Sequence, residues 1–157
     1  MRTLVLIATL IFTFSVYAQE DIAPQWSLKT ETGETVSSTD FAGKPLVIHV
    51  WATWCPYCKK LQPGLDRLYK KYQPQGLEMI AISVREDEDA TPQAVLDARG
   101  YDIKTLIKGE SVAEEFNVAG TPTTIFIDKK GNIIAQTTSS DPDDPRLEQV
   151  FKYLVSR

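Results

Sequence analysis

The 157-residue sequence holds two cysteines, in Trp54-Cys55-Pro56-Tyr57-Cys58-Lys59-Lys60. Two thiols at that spacing can staple the chain, hold a metal or exchange electrons. As a staple they do little: closing so short a loop gives about 2 kcal/mol, the low end of what a disulfide contributes. A closed structural zinc site wants four ligands, and beyond the cysteines the chain offers one imidazole, His49. Electron exchange needs only the pair itself, with one sulfur favoured as thiolate. The spacing therefore points to dithiol-disulfide chemistry.

That chemistry depends on what carries the sulfurs. Leu46 to Trp51 is an apolar, β-branched run that predicts a central strand buried on both faces. Pro56 opens a helix where a missing N–H costs nothing, and Leu61, Leu65, Leu68 and Tyr72 follow at helical spacing, with a kink expected at Pro63. Cys55 then faces the unpaired N–H groups and partial positive charge of a helix start, which favours its thiolate and makes it the attacking sulfur. Cys58, one turn in and more deeply placed, is suited to resolve the mixed disulfide. Lowering a thiol pKa from about 8.5 to about 7 gains only about threefold in rate at neutral pH, because nucleophilicity falls as the thiolate fraction rises. The larger effect is on the equilibrium: each unit of depression favours the reduced form by about 1.4 kcal/mol.

The remaining elements read as an α/β chain. Trp26–Lys29 and Thr35–Ser37 flank a turn at Gly33 and predict a hairpin, and Leu77–Val84 is a second buried strand. Thr91-Pro92 opens a helix through about Arg99, closed by Gly100. A short strand at Ile103–Ile107, a short helix at Ser111–Phe116, a hairpin of Thr123–Ile127 with Ile133–Thr138, and a last helix begun by Asp144-Pro145 complete the reading. Strands alternating with helices predict a central, partly parallel sheet flanked by helices, ending in an antiparallel pair.

Residues 1–18 differ from the rest. Arg2, the apolar run Leu4 to Val16 and the small Ala18 before Gln19-Glu20-Asp21 have the layout of a cleaved export signal, and the run is short for a membrane anchor. The expected organisation is a signal peptide over 1–18 and one domain over 19–157, periplasmic or otherwise exported, where thiols stay reduced only if something reduces them. The net charge of -4 and pI near 5.0, with no basic stripe, argue against a nucleic-acid partner.

Val50-Trp51-Ala52-Thr53-Trp54-Cys55 leading into the cysteine pair, Pro63 five residues beyond it, and Gly120-Thr121-Pro122-Thr123-Thr124 ahead of a strand resemble the thioredoxin superfamily, in particular its TlpA/ResA-like exported branch. The resemblance spans about Ile22 to Leu154. It implies a thioredoxin-like fold with an N-terminal β-hairpin and a helix-strand insertion, no cofactor and no bound metal. It also implies a cis Thr121-Pro122 bond facing the cysteines, with Thr121 pairing to substrate backbone. Trp54, Pro56, Tyr57, Thr121 and Pro122 are the implied substrate contacts. Its partners would be thiols and disulfides of other exported proteins, with a membrane electron donor.

Two positions depart from the family pattern. Where cytochrome-maturation members carry a Glu after the second cysteine this chain has Leu61, and where thioredoxins carry a buried Asp it has His49. A neutral imidazole there is a candidate proton acceptor for Cys58 and a charged one would stabilise a thiolate; the plainer reading is a strand histidine satisfied by a backbone group. Trp51 and Trp54 read as core or as a substrate platform. The run Glu86-Asp87-Glu88-Asp89 reads as a solvated loop, and Lys59 and Lys60 as surface charges. A reductase of exported disulfides is the leading reading. The alternatives are a disulfide oxidase or isomerase on the same motif, and a copper-binding metallochaperone-like module, for which no histidine lies downstream of the cysteines.

Overall fold

The computed structural model describes residues 21–156, so the signal expected over 1–18 lies outside the described residues. Among the described residues, seven strands and four α-helices follow one another: β1 Ser27–Lys29, β2 Thr35–Ser37, β3 Leu46–Trp51, α1 Pro56–Tyr72, β4 Glu78–Ser83, α2 Pro92–Ala98, β5 Lys104–Leu106, α3 Glu110–Glu115, β6 Thr123–Ile127, β7 Ile133–Thr137 and α4 Pro145–Val155. β1 and β2 form the hairpin; the other five strands form one mixed sheet in the order β5-β4-β3-β6-β7. β3, β4 and β5 run parallel, and β6 and β7 pair antiparallel, as the sequence pattern predicts.

β3 sits in the middle, all six residues buried, because it carries no solvated face. The pleat sends Val47, His49 and Trp51 to one side and Leu46, Ile48 and Val50 to the other. On the first side α1, α2 and α4 pack through Leu61, Leu65, Leu96, Leu147, Phe151 and Leu154. On the second, α3 and the hairpin pack through Val112, Phe116, Trp26 and Val36. The hairpin is tied to the sheet where Ile107 N–H donates to the Lys29 carbonyl at 2.9 Å.

Helix ends follow the sequence signals with one exception. Asp144 caps α4 by accepting the Arg146 N–H at 3.0 Å. Thr91 occupies the N-cap position of α2 without a side-chain cap bond. The hairpin turn supplies the acceptor instead, since Glu31 Oε1 takes the Gln93 N–H at 2.6 Å. α1 continues through Pro63 as one element. Its Gly64 is required by close approach: a Cβ there would stand 2.2 Å from the Pro142 carbonyl oxygen. Arg67 fastens the same segment by donating to that carbonyl and to Asp143 Oδ1. Among the described residues no helix is long and apolar enough to cross a membrane.

Candidate active site

Cys55 is the N-cap of α1, its backbone extended (φ -80°, ψ 108°), and Pro56 is the first helical residue. The turn before it is closed by the Cys55 N–H donating to the Ala52 carbonyl at 3.1 Å. Cys55 Sγ takes the place of the usual capping oxygen: it accepts the Cys58 N–H at 3.1 Å. This is a hydrogen bond from the backbone at the positive end of the helix to the sulfur expected to become a thiolate. The two sulfurs are joined as a disulfide, with 5.3 Å between the Cα atoms. Both cysteines are buried, Cys55 at 3% exposure and Cys58 at none.

The sheet register brings the other segments to this edge. Val50 pairs with Thr123, so Pro122 and Thr121 stand beside Trp51 and Ala52, where the chain turns toward Cys55. The Thr121-Pro122 peptide is cis, as the family resemblance implies. Among the described residues no other protein group bonds to the backbone of Thr121. Trp54 and Tyr57 flank the cysteines and stay 54% and 63% exposed, whereas Trp51 is buried and gives its indole N–H to Thr105 Oγ1 at 3.1 Å. The two tryptophans therefore differ in kind: Trp51 belongs to the core and Trp54 to the rim. Pro56, Lys59 and Lys60 are exposed.

Two expectations need correction. His49 is not satisfied by a backbone group; it is buried, and neither ring nitrogen has a hydrogen-bond partner. Burial pushes its pKa down to about 3, so the imidazole is neutral. Its neighbours across β3 are Ala81 and Thr124, and the latter's hydroxyl is also unpartnered. The acidic run after β4 is not simply a solvated loop, because Glu86 accepts the Thr53 N–H at 2.9 Å and the Thr53 hydroxyl at 2.6 Å. No local signal announces that contact; the parallel pairing of β3 and β4, with Trp51 beside Ser83, brings the two loops together. Among the described residues no three or more His, Cys, Asp or Glu side chains group as a metal site.

A mixed sheet with a paired N-cap cysteine beside a cis-proline segment defines a thioredoxin-like thiol-disulfide oxidoreductase. The AhpC/TSA family profile matches residues 20–136, and the chain belongs to that family. It is 32% identical over 136 residues to thiol-disulfide oxidoreductase ResA of Bacillus thuringiensis subsp. konkukian, covering 85% of this chain and 76% of that one. The fold is shared with a thioredoxin-family thiol:disulfide interchange protein from Chlorobium tepidum TLS, at a TM-score of 0.77 and 23% identity over 89% of this chain and 99% of that one. A thiol:disulfide interchange protein from Chlorobium tepidum, described as a DsbE, superposes at a TM-score of 0.76 with 25% identity, over 88% of this chain and 98% of that one.

Proposed function

We propose that the chain reduces disulfides of exported proteins, with Cys55 as nucleophile and Cys58 as resolving thiol. The carrying observation is the Cys58 N–H on Cys55 Sγ at the start of α1, which favours negative charge on that sulfur. In the reducing direction the Cys55 thiolate attacks one sulfur of a foreign disulfide, forming a mixed disulfide and releasing the other sulfur as thiolate. Cys58, deprotonated, then attacks Cys55 Sγ; the Cys55–Cys58 bond forms and the second foreign thiolate leaves. Two electrons have passed outward, and a donor dithiol returns them by the reverse exchange.

Trp54, Tyr57, Pro56, Thr121 and Pro122 line the approach in this reading. The exposed rings supply apolar contact and the unengaged backbone of Thr121 pairs with the extended substrate. His49 is neutral on the α1 side of β3; at a pKa of about 3 it carries no fixed charge to stabilise a thiolate. Export, with cleavage after Ala18 leaving a domain over 19–157, rests on the charged-apolar-small layout of residues 1–18. It requires an electron donor at the membrane, since an oxidising compartment does not regenerate a dithiol.

The test of direction is the Cys55–Cys58 reduction potential against glutathione buffers. A value near the thioredoxin figure of about -270 mV supports a reductase, and one near the DsbA figure of about -120 mV makes the chain an oxidase. Trapping mixed disulfides on a Cys58→Ala variant in intact cells identifies the partners. Exported proteins are the expected catch, and cytosolic ones overturn the proposal.

A further inference from the structure

Two consecutive residues beyond β4 hold two consecutive residues just ahead of Cys55. Glu86 gives both carboxylate oxygens to Thr53, and Arg85 gives its carbonyl to the Trp54 indole N–H at 2.8 Å. Arg85 has a left-handed backbone, φ 55°, uncommon for a residue with a side chain, and its N–H is fixed at 2.6 Å by Glu110 Oε1 from α3. Within the turn that ends at Cys55, the Cys55 N–H returns to the Ala52 carbonyl, while the Thr53 N–H bonds the carboxylate. Glu86 is thus the side chain that anchors the middle of this turn. It does so from a half-buried position outside the buried apolar clusters.

The geometry points to Glu86 as a positioning residue for the thiol exchange, holding Thr53 and, through Arg85, Trp54, so that Cys55 Sγ keeps its place at the start of α1 and the indole keeps its place beside an incoming disulfide. The inference rests on Cys55 being the nucleophile. A carboxylate near a thiolate disfavours it electrostatically, so an effect through charge alone and an effect through position have opposite signs. Removing the charge speeds Cys55 at neutral pH; removing the anchor slows its encounter with a protein disulfide.

The experiment compares the full chain with Glu86→Gln and Glu86→Ala. Glutamine keeps one acceptor oxygen for Thr53 and loses the charge; alanine loses both. Three quantities are read: the pH profile of Cys55 alkylation by iodoacetamide, kcat and KM for insulin reduction, and the thermal midpoint. Glu86→Ala is expected to raise KM for insulin about tenfold with kcat changed less, and Glu86→Gln to stay within about threefold of the parent. Thermal midpoints of all three are expected to lie close together. Equal kinetic effects of glutamine and alanine, unchanged insulin kinetics in Glu86→Ala, or a kinetic loss that simply tracks a fallen midpoint each overturn the inference. Failure of the nucleophile assignment looks different: in the unaltered chain iodoacetamide then labels Cys58, or neither sulfur.

Discussion

The two faces of the central sheet are built from different materials. On the face under α3 and the hairpin, Ile48, Val50, Ile80, Ile82, Leu106 and Ile125 meet Val112 and Phe116, and the buried Thr123 hydroxyl there is satisfied by the Gly120 carbonyl. The face under α1 carries Cys55 and Cys58, and it also carries the buried side-chain atoms that lack partners among the described residues. His49, Ser83 and Thr124 lie on it by strand register, and Gln62 and Asp66 by their place on α1. An unpaired buried polar atom costs about 1–3 kcal/mol. Both sides bury a large apolar cluster, and among the described residues the unpartnered polar atoms gather on the side beneath the helix that holds the sulfurs.

The contrast can be broken most forcefully at the sulfur. Cys55→Ser is expected to abolish insulin reduction while leaving the far-ultraviolet dichroism intact, and retained turnover would reassign the nucleophile. On the apolar face, Ile48→Ala should cost about 2–5 kcal/mol in denaturant unfolding, with the reduction potential of the cysteine pair unmoved in whatever fraction stays folded. A shifted potential would show that the faces are not separable.

His49 makes the α1 face sensitive to acid. Its folded-state pKa, about 3, lies below the ordinary histidine value of 6.5, so the unfolded chain binds the extra proton between those values. The neutral imidazole is therefore tolerated fully above pH 6.5, and stability is lost as pH falls from there toward 3. Acidifying from pH 7 to 4 should remove about 3 kcal/mol through this residue. Urea unfolding of the parent against His49→Leu reads it, since the variant lacks that component of the acid dependence; parallel curves would mean that the imidazole is protonated or partnered when folded. The smallest effect is expected at Thr124→Val. Deleting an unpartnered hydroxyl should leave stability unchanged or raise it by about 1 kcal/mol, and a clear loss would reveal a partner for that oxygen.

How much of this could be read from the chain depended on how local each cause is. β3 and α1 were legible because an unbroken apolar run, a proline at the first helical position and leucines at helical spacing are all short-range signals. The cis bond at Pro122 was legible only through the family pattern around it, since an X-Pro pair by itself is mostly trans. The isolation of His49 was illegible because it is a property of what surrounds the ring, supplied by β4, β6 and α1 from three stretches of chain. Thr53 and Glu86 were missed for the same reason. Thirty-three positions separate them, and only the parallel crossover brings them together. The cap of α2 shows the limit in miniature, since Thr91 sits where a capping residue belongs and Glu31 does the capping.

Gly64 gives the geometry an order in time. The segment around Pro142 lies against α1 more closely than any side chain at position 64 would permit, and α4 follows directly. During synthesis, α1 leaves the ribosome long before the residues around Pro142 that brace it at Gly64. A nascent chain therefore passes through a stage in which both thiols are present and the buttress is not.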